Sequence, residues 1–287
     1  MAEKYYRKIK AVANNGTTNV SWRATVAKRI HAFQFTGTYA GGTNSLAGFV
    51  TAMTQIIVKV GSVEKWNLSG TQLRDWLLLF GTTFDFNGSA PNTTGCIVTL
   101  PLAPEWFLAN VNDSLAWNPK LLGGEISVEI TFANATTLTV FEVASDDLDA
   151  PSSGIITLES ITSVAGGTDF FTGTELEPRG RLISASIYPD STNSNEITPG
   201  GLYLGKNDYP AHEDLTSASN DETLERKGLT PAASGRTANI YDIVAVKDDM
   251  LSRGWNLAEW GSAKIRIQAA AAMAGTVKTL VARLENR

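Results

Sequence analysis

Residues 117–143 read WNPKLLGGEISVEITFANATTLTVFEV, and residues 255–284 read WNLAEWGSAKIRIQAAAAMAGTVKTLVARL. In both, a Trp-Asn pair precedes a glycine break, an alternating apolar run, a turn of small residues and a second apolar run. Ile126, Val128 and Ile130 alternate with Ser127 and Glu129 in the first copy; Ile265 and Ile267 alternate with Lys264, Arg266 and Gln268 in the second. A period of two puts successive side chains on opposite faces, so each run is a strand with one buried face. The small-residue turn at 133–137 leads into a strand through Leu138, Val140, Phe141 and Val143. The alanine-rich turn ending at Gly275 leads into one through Val277, Leu280, Val281 and Leu284. This pattern predicts a closing hairpin in each copy. A shift of 139 residues lays Ile126 on Ile265, Val128 on Ile267 and Leu138 on Val277, with a one-residue gap for the Trp-Asn pairs. Repeat arrays have periods of about 20–50 residues, so this offset predicts two similar β domains in tandem.

The bulk composition agrees. The chain has 287 residues, 43% hydrophobic and 9% aromatic, enough for a sizeable core in each of two medium domains. Only 18% are charged, and the abundance of glycine, threonine, serine and asparagine favours short strands joined by turns. A single cysteine, Cys96, excludes an internal disulfide, and its place in the apolar run 96–100 predicts a packed thiol. Residues 1–10 hold no apolar core or cleavage signature, and the apolar run 76–80 is far too short to span a bilayer. Synthesis and folding in a reducing cytoplasm are therefore expected.

Charge is unevenly placed. The net charge is −5, yet the first thirty residues carry seven basic residues against Glu3 alone, a net of +6, and the remainder carries −11. The cluster Lys4, Arg7, Lys8 and Lys10 reads as a basic N-terminal arm over residues 1–18, either facing something anionic, nucleic acid or lipid headgroups, or serving as a solvated tail that aids solubility. The first domain is expected at 19–145. Its strands run through Val20 to Val26, Ile30 to Phe35, Gln55 to Val60 and Cys96 to Leu100. Leu73, Trp76, Leu77 and Phe80 recur with helical spacing, with Ser69 or Thr71 as N-cap and Gly81 as stop. Pro104 opens a predicted helical turn. A turn-rich connector is expected at 146–180, with an extra strand near 155–161, and a second domain at 181–287. There, strands are expected at 182–188, 201–205 and 240–246, and short helices near 220–227 and after Asp248. The excursion 206–236 has no assignable build beyond its helix. Many short strands separated by turns indicate a sandwich or barrel, and the reading is all-β: two tandem eight-stranded jelly rolls with short helices inserted in loops.

No catalytic constellation emerges. His31 lies in a strand among Phe33 and Phe35, His212 follows a proline in the long excursion, and neither has a partner motif. There is no nucleophile elbow, phosphate loop, dinucleotide fingerprint or zinc-binding spacing. Glu125 and Glu129 share a face and Glu142 lies on the following strand; neighbouring strands could supply the spacing of about 5 Å that a retaining glycosidase pair needs. Because Ile126, Val128 and Ile130 take the opposite face, those glutamates are expected at solvent or at a neighbouring subunit. Asp146, Asp147 and Asp149 do not follow a calcium-loop spacing. Trp66, Trp76, Trp106, Trp117, Trp255 and Trp260 lie beside helices, turns or strand ends, which suits core packing and subunit contacts as well as sugar stacking. No catalytic residue, metal or cofactor is assigned.

Three stretches carry a family resemblance: 56–61 followed by Leu73-Arg74-Asp75-Trp76-Leu77, the run 124–143, and the run 262–284. With two tandem jelly rolls, a basic N-terminal segment and a helix inserted in each half, the chain resembles a double jelly-roll major capsid protein. This is the lineage of adenovirus-like and tailless, membrane-containing icosahedral viruses, and the size is most similar to the corticovirus-type bacteriophage proteins. The resemblance implies a structural protein of the virion, not an enzyme, made in the host cytoplasm. It further implies a homotrimer whose six jelly rolls form a pseudo-hexagonal capsomer, meeting neighbouring capsomers and minor capsid or vertex proteins. Lys4, Arg7, Lys8 and Lys10 would then form an inward-facing arm, toward the internal membrane or the genome. A β-sandwich receptor- or glycan-binding module is the alternative, and a jelly-roll glycosidase ranks below it.

Overall fold

Strand β1 (Tyr5–Ala13) is paired along its length with the last strand of the first half, from Tyr5 opposite Ala144 to Ala13 opposite Thr137. The structure is a computed structural model. It describes residues 5–13, 18–39, 46–82, 96–104, 115–134, 136–146, 148–149, 152, 154–164, 171–189, 197–206, 209–214, 217–226, 228–237, 240–245, 255–260, 262–269 and 276–285. The chain divides into two units, one built from Met1–Leu78 and Thr82–Ile156, the other from Leu79–Gly81 and Thr157–Glu285.

In unit 1, β1 is followed by β2 (Asn19–Arg23), β3 (Arg29–Tyr39), α1 (Leu46–Ala52), β4 (Met53–Val60), β5 (Val63–Leu68) and α2 (Gly70–Leu79). Then come β6 (Cys96–Pro101), α3 (Pro119–Leu122), β7 (Ile126–Phe132) and β8 (Thr136–Ser145). They form two antiparallel sheets, β1-β8-β3-β6 and β5-β4-β7-β2. The sheets meet through aromatic rings: Trp22 of β2 lies edge-to-face with Phe33 and Phe35 of β3 at 5.7 and 6.2 Å, and Phe49 of α1 packs on Phe132 of β7 at 5.5 Å. Each such ring contributes about 1.5–3 kcal/mol by leaving water.

Helix α2 shows how the sequence sets an element. Ser69 Oγ accepts from Gln72 N at 3.2 Å and Gln72 Oε1 accepts from Ser69 N at 3.0 Å, a reciprocal capping box. Gly70 follows because a β-carbon there would lie 2.4 Å from the Val50 carbonyl oxygen. Gly81, at φ +74°, ends the turn after the helix.

Unit 2 comprises β9 (Ile155–Val164, whose first two residues count with unit 1), β10 (Phe171–Leu176), β11 (Arg181–Tyr188), β12 (Ile197–Lys206) and β13 (Tyr209–Asp214). It continues with α4 (Ser217–Arg226), β14 (Tyr241–Val244), β15 (Trp255–Asn256), a 3-10 turn (Leu257–Glu259), β16 (Ala263–Ala269) and β17 (Thr276–Glu285). Its sheets run β9-β17-β11-β14 and β13-β12-β16-β10, with two-residue β15 beside β11. Leu182, Ala185, Ile187, Ile243, Val277 and Val281 from one sheet share a core with Leu176, Ile265 and Ile267 from the other. Setting β15 aside and counting the remaining strands within each unit from one to eight, both units have the orders 1-8-3-6 and 5-4-7-2. That is the jelly-roll plan, twice.

Four expectations change. The residues read as an arm, 1–18, contain β1, the first strand of unit 1, and the span read as a connector, 146–180, contains the first two strands of unit 2: β9, where an extra strand is expected near 155–161, and β10. In both cases the partner strand lies far along the chain, so local pattern gave no sign of pairing. Third, β7 and β8 are not a hairpin: β7 pairs with β2 and β4, and β8 with β1 and β3. The short link crosses between sheets, and β16 and β17 are divided in the same way. Periodicity reports which face is buried, not which strand is the neighbour. Fourth, the excursion 206–236 carries β13 and α4, then a turn-rich segment closed by Arg236, whose Nη1 donates to Pro231 O at 2.8 Å. The helical turns read after Pro104 and Asp248 lie outside the described residues.

Candidate interaction surfaces

The outer face of β5-β4-β7-β2 is polar and internally paired. Arg23 Nη1 donates to Glu125 Oε2 at 3.0 Å, and Lys59 Nζ to both oxygens of Glu129 at 3.1 Å. Gln55 Nε2 donates to Asn67 Oδ1 at 3.1 Å on the same face. Ile126, Val128 and Ile130 are buried behind it, as the alternation predicts. Exposed ion pairs of this kind contribute at most about 1 kcal/mol each.

Glu142 is elsewhere. It sits on β8 in the other sheet, is fully buried, and its Oε2 accepts from Thr25 N at 3.1 Å. Its carboxylate holds the turn between β2 and β3, so Glu142 cannot join Glu125 and Glu129 in a catalytic pair. His31 is also buried, with Nε2 and Ser145 Oγ 2.9 Å apart. His212 lies on β13, and Cys96 opens β6. Asp146 is paired with Lys28, and Asp149 lies 3.5 Å from Lys120. Among the described residues no group of three metal-ligating side chains forms.

The tryptophans go mainly to cores. Trp22, Trp66, Trp76 and Trp117 are buried, Trp66 and Trp117 meeting edge-to-face at 6.3 Å. Trp255 is half-buried and stacks on Trp260 at 5.9 Å. Trp106 lies outside the described residues.

Unit 2 holds a buried polar clasp that sequence reasoning missed. Arg236 Nη2 donates to Asp242 Oδ2 at 2.6 Å, and Ser186 Oγ to Asp242 Oδ1 at 2.5 Å. Both side chains of the ion pair are almost wholly shielded. The clasp ties the end of the long excursion to β14 and β11. Its signal was an aspartate inside the apolar run 240–244, a position that demands a partner.

Of the basic cluster, Arg7, Lys8 and Lys10 lie on β1, opposite Glu142, Phe141 and Val140 of β8 in register. Lys4 precedes the described residues. Among the described residues β1 ends its sheet, so this part of the cluster belongs to an edge strand rather than a tail.

The eight-strand order found twice decides the comparison with solved structures. The chain has the fold of the double jelly-roll capsid proteins. It is similar to the major capsid protein P2 of bacteriophage PM2, with a TM-score of 0.70 and 12% identity over 99% of each chain. The STIV major capsid protein gives 0.66 and 12% over 98% of this chain and 97% of that one. The PBCV-1 virus capsid gives 0.62 and 10% over 99% and 94%. No family model matches the sequence, and no curated protein matches it. The double jelly roll is thus visible in backbone course alone.

Proposed function

We propose that this chain is a major capsid protein, a structural subunit whose copies form homotrimeric, pseudo-hexagonal capsomers of an icosahedral virion. The observation that carries the reading is the pair of units with identical strand order, similar along nearly the whole chain to capsid proteins. Two like units per subunit let a three-fold assembly offer six nearly equivalent sides, which tile a hexagonal lattice. Its partners in this reading are further copies, neighbouring capsomers and minor capsid or vertex proteins. The buried tryptophans and the internally paired outer face support a structural role over sugar binding or hydrolysis.

In the same reading the basic end of the chain, Lys4 with Arg7, Lys8 and Lys10, faces the interior, toward genome or membrane. Support comes from the contrast between the +6 of the first thirty residues and the −11 of the rest. Electron microscopy of the purified protein tests the main claim. Trimers of hexagonal outline are expected; monomers that bind sugar would sink it.

A further inference from the structure

Among the described residues, three large aliphatic side chains stand well out into solvent: Val26, 57% exposed, Val63, 51%, and Leu121, 39%. Exposed apolar residues scattered singly over a surface are ordinary and need no account. These three are not scattered. Val26 lies in the turn between β2 and β3, Val63 opens β5 just after the turn from β4, and Leu121 lies in α3, ahead of β7. The ladders put all three at one end of unit 1. There Val60, the last residue of β4, is opposite Ile126, the first of β7, and Arg23, the last of β2, is opposite Ser127. Two main-chain bonds tie the loops together, Gly61 N to Glu125 O at 2.8 Å and Ala24 N to Ile126 O at 2.9 Å.

The charges beside these tips are matched. Arg23 pairs with Glu125 at 3.0 Å, Lys28 with Asp146, and Lys120 lies 3.5 Å from Asp149. The chain also begins at this end, because Tyr5 and Ile30 are both register partners of Ala144. The first thirty residues, with their net +6, therefore start and finish here. In unit 2 the matching places carry charge instead: Glu177 and Arg179 between β10 and β11, and Glu259 in the 3-10 turn. The strand plan does not demand apolar tips.

We propose that this end of unit 1 lies on a lipid surface, with Val26, Val63 and Leu121 dipping into the boundary between headgroups and acyl chains. The proposal rests on the reading that the basic start of the chain faces the interior, and it names lipid as what that start meets. A nucleic acid is held by cations on its phosphates and gains nothing from aliphatic tips. A stable protein partner needs roughly 800 Å² of surface on each side, far beyond three part-exposed side chains. A fluid bilayer takes separate tips one by one, and their burial adds to the attraction between basic groups and anionic headgroups. The pairing of Glu125, Asp146 and Asp149 offsets negative charge that would repel those headgroups. So few side chains hold one copy weakly, but many linked copies on one vesicle hold together.

The test is flotation of the purified full chain with vesicles of phosphatidylcholine and phosphatidylglycerol, beside electron micrographs of the same samples. The wild type is expected to float. Val26→Ser with Val63→Ser and Leu121→Ser is expected to cut the bound fraction about tenfold or more, with thermal unfolding and trimers unchanged. If that variant fails to fold, Val26→Trp with Val63→Trp decides: binding is expected to rise severalfold, because indoles favour the interface, and no rise overturns the proposal. A wild type that does not float, or a folded serine variant that floats as well as the wild type, overturns it too. So does a chain held by duplex DNA and not by vesicles. Trimers of hexagonal outline that ignore vesicles sink the lipid contact alone. Flotation without such trimers supports the contact and sinks the capsid reading.

Discussion

Trp117-Asn118 and Trp255-Asn256 hold the same place in the two units and do different work there. Each pair meets the start of its unit's third strand, Trp117 opposite Ile30 of β3 and Trp255 opposite Leu182 of β11. Each is followed by one helical turn and then the seventh strand. In unit 1 the indole is fully buried against Trp66, and the Asn118 side chain is used at both ends. Its Oδ1 accepts from Lys120 N and Leu121 N at 3.1 and 3.4 Å, and its Nδ2 donates to Leu148 O at 2.6 Å. In unit 2 the indole is half-buried on Trp260, and Asn256 makes no side-chain cap; its Nδ2 donates to Glu259 Oε1 at 2.6 Å on the surface. The backbone duty of the pair survived in both units while the side-chain duties parted. A shared plan of eight strands leaves that freedom, because the plan is held by main-chain ladders.

The contrast can be broken by measurement. Trp117→Ala should cost about 3–5 kcal/mol in denaturant unfolding, and Trp255→Ala clearly less, since only the first empties a closed core. Equal losses would remove the distinction. Arg236→Ala should be of similar size, about 3–5 kcal/mol, because it strands the Asp242 carboxylate in a dry site. Glu129→Ala, which breaks only the partly exposed pair with Lys59, should shift stability by less than about 1 kcal/mol. Asn118→Ala falls between, at about 1–2 kcal/mol, through loss of the cap. Asn256→Ala should move the melting curve by no more than about 0.5 kcal/mol. A larger effect at Asn256 than at Asn118 would invert the comparison.

What could be read in advance follows the range of the forces involved. Local features were legible: the buried faces of β7 and β16, the cap at Ser69, the stop at Gly228 after α4. Strands with mixed or proline-broken sequences were not. β5 has Glu64 and Lys65 ahead of buried Trp66, and β13 reads as a polar loop. β1 reads as a tail because three of its nine residues are basic, while its partner β8 lies more than a hundred residues away. Glu142 had a usable signal that went unread: it continues the alternation Leu138, Val140, Glu142, Ala144, which is the buried face. Grouping it with Glu125 and Glu129 required β7 and β8 to be neighbours, and they are not.

In each unit the eighth strand lies between the first and the third, so it is inserted into a sheet whose other members were made long before. Until β8 leaves the ribosome, β1 and β3 have no strand to join them; until β17 does, β9 and β11 stand apart. Such non-local pairing is slow and leaves strands exposed meanwhile.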